Sequence, residues 1–177
     1  HGKKDGFEQF FDEKGELLGS GLFQNGVPKG QHWRKHVNGV LAYEAEYDQN
    51  GSLLVPICEY SEEGVQIKEY FTQNSQHDGR YLEWYPNGNP KVEYIYSNGV
   101  LIGSQNEYYE SGQIKLSIEY DEDQKRTGLH QEWHENGILA RKISFTQGQK
   151  DGQMGEWYPN GNPKTDTFSV LDQPDGV

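Results

Sequence analysis

Pairs of glycines nine residues apart recur along the chain at intervals of about 24 residues, and this period constrains the fold more than any other feature. The pairs are Gly6/Gly15, Gly30/Gly39, Gly79/Gly88, Gly103/Gly112, Gly128/Gly137 and Gly152/Gly161. One unit is degenerate, with Val55 at the first position and Gly64 at the second. Fixed periods of this length are typical of tandem supersecondary units. We predict one array over residues 1–177, with seven units starting near residues 6, 30, 55, 79, 103, 128 and 152.

Each unit has the pattern of two short strands joined by a tight turn. The fifth residue after the leading glycine forms an aromatic column: Phe11, Tyr60, Trp84, Tyr108, Trp133 and Trp157, with Lys35 as the exception. Turns such as Pro159-Asn160-Gly161 fit a type I turn closed by a left-handed glycine, which makes a three-residue loop. No apolar periodicity is long enough for a helix. We therefore predict an all-β fold: an elongated antiparallel meander of tandem β-hairpins in a single-layer, twisted sheet.

The pairing that follows directly from this turn assigns the two faces of the sheet. We expect the aromatic column to share one face with the apolar residues of the second strands. These include Ile114 and Leu139 near the turns, and Tyr43, Leu116 and Ile143 further along. The opposite face then carries the glutamate that precedes the aromatic residue in the last five units. The expected neighbours across the strands are Glu83 and Lys91, Glu107 and Lys115, and Glu156 and Lys164. Because side chains alternate along a strand, a slip of one residue would exchange the faces.

Composition excludes several classes of partner. Lys and Arg number 16 against 28 Asp and Glu, so the formal charge is −12. This charge repels nucleic acid and anionic lipid, and no apolar run approaches the roughly 18 residues of a membrane span. A single cysteine, Cys58, excludes an internal disulfide framework. The chain opens on what looks like the tail of a unit and closes on Asp175-Gly176, which would open another, so we expect a fragment of a longer array.

The stretch from Asp78 to Lys91, repeated from Asp151 to Lys164, resembles the bacterial variant of the MORN repeat. Proteins with this repeat are often described as antitoxin-like or immunity-like, and others are uncharacterised surface or secreted proteins. Eukaryotic MORN arrays act as scaffolds and dimerisation platforms. The resemblance implies a non-enzymatic protein-interaction scaffold without catalytic residues, and it leaves both the bacterial cytoplasm and the cell surface open as locations.

The best binding candidate is the glutamate column with the residue that follows each aromatic position. We call this set the Glu/Tyr strip, and it comprises Glu83, Tyr85, Glu107, Tyr109, Glu132, His134, Glu156 and Tyr158. Exposed tyrosines are frequent interface anchors, and the carboxylates would steer a basic protein partner toward the strip. The competing interpretation is that the charges only solubilise an open face. We expect that replacing the four glutamates by lysine abolishes binding without unfolding the chain.

Two alternative functions stay open. The aromatic column could form a ligand strip of a cell-wall or surface module that binds glycans or choline. Core packing is the preferred explanation, because these side chains are expected to share a face with the apolar residues. Open sheet edges could also pair with a second copy, which would make a self-associating array and a homodimer.

The residues give no support for a metal, a cofactor or catalysis. In the pairs His32/His36 and His130/His134, the side chains would lie about 13 Å apart on a strand, too far for one zinc ion. We expect these histidines at the surface. The acidic stretch Asp121-Glu122-Asp123 lacks the calcium-loop pattern. No nucleophile or phosphate-loop motif is present, and Cys58 is expected to be an inert thiol on the face of the aromatic column.

Overall fold

The computed structural model describes residues 2–170 and 173–174, and its regular structure consists of β-strands. The chain divides into two compact units, residues 1–88 and 89–177. The first unit contains β1 Gly6–Phe11, β2 Leu17–Gln24, β3 Val27–Lys35, β4 Leu41–Tyr47, β5 Ile57–Tyr60, β6 Gln66–Gln73 and β7 Gln76–Trp84. The second contains β8 Pro90–Ser97, β9 Val100–Leu101, β10 Gly103–Tyr108, β11 Ile114–Tyr120, β12 Arg126–Trp133, β13 Leu139–Thr146, β14 Gln149–Trp157, β15 Pro163–Val170 and β16 Gln173–Pro174.

Every strand pairing within each unit is antiparallel. In the first unit, each strand from β1 to β7 pairs with the next in chain order. In the second unit, β8 pairs with β9 and β10, and the strands from β10 to β16 again follow in chain order. No helix occurs among residues 2–170. The predicted all-β meander of tandem hairpins is confirmed, and Gly176, predicted to open a further repeat, lies outside the described residues.

Two kinds of turn connect the strands. In the turn from Tyr109 to Gln113, the Gly112 amide donates to the Tyr109 carbonyl at 2.8 Å and the Tyr109 amide donates to the Gln113 carbonyl at 2.8 Å. Gly112 has a φ of 87°, so the predicted three-residue loop with a left-handed glycine is confirmed. The connections between hairpins include two-residue turns such as Asn25-Gly26, where φ is positive at both positions, as a type I′ turn requires.

A β-bulge one pair inside each three-residue loop changes the predicted register. Tyr108 pairs with Ile114 as expected, but Glu107 pairs with Leu116, so Lys115 is an extra residue on the second strand. The same one-residue shift occurs in the other hairpins of the two units whose pairing is described, where the extra residues are Leu18, Ala42, Ile67, Ala140 and Lys164. One inserted residue reverses which side chains share a face.

The predicted assignment of the faces is therefore wrong for the residues that follow the bulge, whereas Tyr108 still pairs with Ile114 and Trp133 with Leu139 on the predicted face. In the second unit Glu107 pairs directly with Leu116, and Glu132 pairs with both Leu116 and Arg141. The glutamates thus share a face with the apolar residues that follow the bulge on the second strands, and we call this face of each unit the core face. The aromatic column, one residue further along each strand, lies on the opposite face. There the indole of Trp157 covers Gly155 so closely that a Cβ on Gly155 would approach the ring to 2.6 Å.

Most of the buried apolar side chains lie on the core face: Ala45, Ile57, Ile143 and Phe145, whereas Leu82 is buried on the opposite face. Aromatic rings supply much of the remaining packing in the first unit. His32 lies between Phe23 and Tyr47, with ring centroids at 5.0 and 4.9 Å. His77 lies at similar distances from Tyr70 and Tyr81. A chain poor in aliphatic residues therefore builds this part of its core from rings packed edge to face.

Candidate functional site

The four glutamates of the Glu/Tyr strip are partly covered by neighbouring side chains of the core face. Their side chains are 18% exposed for Glu83, 28% for Glu107, 39% for Glu132 and 35% for Glu156. The expectation that they project from a face without apolar residues is wrong, because the bulge places them among those residues. Their role in binding stays a prediction.

Lysines compensate three of these carboxylates. Lys115 Nζ lies 3.4 Å from Glu107 Oε2, and Lys164 Nζ lies 3.1 Å from Glu156 Oε2, so these two of the three predicted pairs are confirmed. Each lysine is the extra residue of its bulge, which explains how it reaches the carboxylate. In the first unit Lys68 Nζ lies 3.8 Å from Glu83 Oε1. Ion pairs this exposed contribute about 1 kcal/mol or less and can be displaced.

Arg141 and a tyrosine also contact the row of carboxylates in the second unit. The Arg141 guanidinium lies between two glutamates, 3.6 Å from Glu132 Oε1 and 3.7 Å from Glu156 Oε1. The Tyr94 hydroxyl donates to Glu107 Oε1 at 2.9 Å. The row is therefore a mixed network of carboxylates, cations and hydroxyls rather than an uninterrupted acidic strip.

Tyrosine–carboxylate hydrogen bonds also connect side chains on neighbouring strands of the first unit. The Tyr70 hydroxyl donates to Glu59 Oε1 at 2.8 Å, and the Tyr60 hydroxyl donates to Glu44. Burial raises the pKa of Tyr70, and its bond to Glu59 raises it further. Burial likewise raises the pKa of Tyr60, with the bond to Glu44 as the next cause. Both hydroxyls therefore remain protonated donors at neutral pH.

Two members of the Glu/Tyr strip tie neighbouring hairpins together. The Tyr109 hydroxyl donates to the Trp133 carbonyl at 2.7 Å, and His134 Nε2 lies 2.9 Å from the Trp157 carbonyl. His36 makes the equivalent bond in the first unit, with Nε2 2.8 Å from the Tyr60 carbonyl. A polar ring at this position thus connects one hairpin to the aromatic residue of the next.

Asparagines beside the turn glycines form a second set of such connections, which sequence reasoning missed. Their Nδ2 groups donate to turn carbonyls of the next hairpin: Asn38 to Glu62 at 2.9 Å, Asn89 to Glu110 at 2.9 Å and Asn136 to Pro159 at 2.6 Å. The available signal was the recurrence of Asn next to the turn glycine at a spacing of about one repeat.

One pocket of the second unit collects four members of the Glu/Tyr strip. It has a volume of about 480 Å³, and Glu107, Tyr109, Glu132 and His134 all line it. Leu116, Ile118 and Ala140 supply its apolar lining, and Lys115, His130 and Trp133 complete it. Glu156 and Tyr158 do not belong to it, and the Tyr158 side chain is 50% exposed on its own. The structure therefore brings together half of the predicted set.

His130 is a residue of this pocket that the sequence placed wrongly at the surface. It is 7% exposed, and neither ring nitrogen has a hydrogen-bond partner. Glu132 Oε1 lies 3.0 Å from Nε2 without satisfying hydrogen-bond geometry, so this contact is electrostatic. Burial lowers the pKa of His130, opposed by the Glu132 charge and assisted by Arg126 and Arg141. The imidazole is consequently neutral at neutral pH and leaves the charge of Glu132 in place.

Cys58 lies on the face opposite the core in the first unit, half-buried near Glu44 and Glu69. Burial raises the pKa of its thiol, and the two carboxylates raise it further, which suppresses the reactive thiolate. Among residues 2–170, no three His, Cys, Asp or Glu side chains are arranged to hold a metal ion. No helix able to cross a membrane occurs in that range either.

A comparison with family models identifies the repeat. The model described as MORN repeat variant matches residues 78–99, 101–122 and 126–147. Residues 78–147 carry MORN repeats. The matched copies include the pocket-lining residues Glu107 and Glu132. Repeats of this type are normally non-catalytic, and they imply a binding or scaffold role in general. No curated protein matches the chain.

Proposed function

We propose that this chain is a non-enzymatic scaffold whose Glu/Tyr strip binds a basic protein partner. The observation that carries the proposal is the pocket where Glu107, Tyr109, Glu132 and His134 meet. Carboxylates beside aromatic and apolar surface suit lysine and arginine side chains, whose stems pack while their charged ends pair. The formal charge of −12 adds long-range attraction for such a partner. Neutralisation of a basic protein, as by an antitoxin or immunity protein, is the specific form of this function that the repeat type suggests.

The test is affinity capture with a charge-matched control. In one variant, Glu83, Glu107, Glu132 and Glu156 are each replaced by Gln, which keeps the side-chain shape and avoids placing lysines against Arg141. In the control, four exposed turn glutamates are replaced by Gln instead: Glu13, Glu62, Glu122 and Glu135. Both variants lose the same charge, and circular dichroism checks that both are folded.

The wild-type chain and the control should retain the same basic proteins, identified by mass spectrometry, and the strip variant should release them. Retention should also weaken as salt rises, because salt screens the attraction between exposed charges. The Debye length is about 10 Å at 0.1 M salt and shortens as more is added. Equal retention by both variants, or capture of acidic proteins only, would overturn the proposal.

The position of the aromatic column favours a second candidate, a glycan-binding strip. Tyr108, Trp133 and Trp157 lie on the face opposite the core and are half-buried. Adjacent members are two strands apart, about 9.6 Å at 4.8 Å per strand, so they cannot surround one choline but could each stack on a sugar ring. Titration of tryptophan fluorescence with cell-wall oligosaccharides tests this, and an unchanged spectrum would reject it.

A further inference from the structure

The pocket around Glu132 exists because two positions that carry cations elsewhere in the second unit carry apolar residues here. In the hairpins β10–β11 and β14–β15, the bulge residues Lys115 and Lys164 pair with Glu107 and Glu156. In the hairpin between them, the bulge residue is Ala140. Glu132 therefore lacks the lysine that both neighbouring glutamates have.

The second missing cation is on the preceding hairpin. Arg141 pairs with both Glu132 and Glu156 across the strands and bridges their carboxylates. Leu116 holds the equivalent place between Glu107 and Glu132, because it pairs with both of them. The two carboxylates are thus separated by an apolar side chain where the next repeat has a guanidinium. Leu116 and Ala140 both line the pocket.

His130 provides an independent sign that the pocket is incomplete. Its side chain is only 9% exposed and lines the pocket, where Nε2 faces Glu132 Oε1 at 3.0 Å and Nδ1 has no hydrogen-bond partner. Buried polar atoms are normally hydrogen-bonded, so Nδ1 of this imidazole offers an incoming polar group a position to bind. The other charged groups near it are Glu132, Arg126 and Arg141.

We propose that this pocket receives the charged end of a lysine or arginine side chain from a partner protein, between Glu107 and Glu132. The incoming side chain takes the place that Arg141 and Lys164 occupy one repeat further on. Its aliphatic stem packs on Leu116 and Ile118, and its head group pairs with the two carboxylates. Glu107 and Glu132 stand on strands about 9.6 Å apart, a span that one head group bridges with its hydrogen bonds. This inference rests on the proposed function and specifies its central contact.

The probes are N-acetyl-lysine amide and N-acetyl-arginine amide, with N-acetyl-norleucine amide as the uncharged control of similar length. The readout is the ring proton resonances of His130 in NMR titrations, since this imidazole lies 3.0 Å from Glu132. We expect a saturable shift with the two cationic amides and at least a tenfold weaker response to the norleucine amide, because the pairing with the carboxylates is lost.

Two variants supply the missing cation from the chain itself. Ala140→Lys copies Lys115 and Lys164, and Leu116→Arg copies Arg141, so both place residues that neighbouring hairpins already accommodate. Each should reduce the response of His130 to the cationic amides about tenfold or more. Thr146→Lys adds the same charge at an exposed position at the far end of β13 and should leave the response unchanged.

Undiminished binding to Ala140→Lys and Leu116→Arg would overturn the inference, as would an equal response to the norleucine amide or no saturable response at all. The outcomes separate the two proposals. If basic proteins depend on the four glutamates while Ala140→Lys captures them as well as wild type, the strip binds but the pocket does not. If the cationic amides titrate His130 while no basic protein depends on the strip, the pocket stands and the proposed function fails.

Discussion

Truncation of Ile143 offers the sharpest test of which face holds the second unit together. Ile143 is 5% exposed on the core face, where it pairs with His130 and Met154 of the neighbouring strands. Ile143→Ala removes three carbons, and at about 0.8 kcal/mol per buried methylene the transfer part of the loss is about 2.4 kcal/mol. A single sheet lets neighbours such as Phe145 relax into the space, so the added cavity cost is small. We expect the free energy of unfolding to fall by about 2.5 kcal/mol.

Leu129→Ala is the matched control. Leu129 precedes His130 on β12 and therefore lies on the opposite face, where it is 41% exposed. With about three fifths of the side chain covered, the same arithmetic gives a loss of about 1.4 kcal/mol. Urea unfolding, followed by tryptophan fluorescence and by far-ultraviolet circular dichroism, measures the free energy of unfolding of both variants. Coincident curves from the two probes indicate two-state unfolding, which one free energy describes.

The difference between the losses of unfolding free energy in Ile143→Ala and Leu129→Ala shows which face stabilises the second unit. Equal losses, or a loss below about 1 kcal/mol for Ile143→Ala, would mean that the core face does not carry the stability assigned to it here. Either result would remove the reason for placing the glutamate row among the packed residues.

Two further predictions concern the connections that position the site. His134→Ala should lower the free energy of unfolding by about 1 kcal/mol, because the bond to the Trp157 carbonyl is lost. His134→Tyr should retain this bond, since Tyr109 makes it at the equivalent position. Equal urea midpoints for the two variants would contradict this prediction. In the turn after β4, the Asp48 carboxylate accepts from the Ser52 and Asn50 amides at 2.8 and 2.7 Å, and the bond from Ser52 is the main cause that lowers its pKa. Because the folded pKa lies below the unfolded one, the stabilisation is present above the ordinary carboxyl range and is lost as pH falls through the folded pKa. Asp48→Asn should therefore lower the urea midpoint at neutral pH and match wild type at acid pH, and a difference that persists at acid pH would show that the charge is not responsible.

Local sequence signals were sufficient for the hairpins and their turns. A left-handed glycine such as Gly112 closes the three-residue loop inside each hairpin, because few other residues tolerate a φ of 87°. The recurrence of these glycines is visible without a structure, and so is the alternation of large and polar residues between them. The eight members of the Glu/Tyr strip were found by the same periodicity, and four of them do meet in one pocket.

The faces could not be obtained in this way. Whether Lys115 or Ala140 continues the ladder or stands outside it depends on how two strands fit side by side, and no local signal marks such a bulge. One extra residue reverses every later side chain, so a correct turn led to the wrong face for the aromatic column and the glutamates.

Sequence alone therefore determined the repeat, the all-β class and which residues recur at equivalent places, because these follow from the backbone preferences of neighbouring residues. Only the tertiary structure decided that Glu132 lies opposite Leu116 and Arg141, that His130 is buried beside it, and that Tyr109 and His134 bond to the next hairpin. Those relations join residues on different strands, and their energies depend on distances that the order of residues along one strand does not contain.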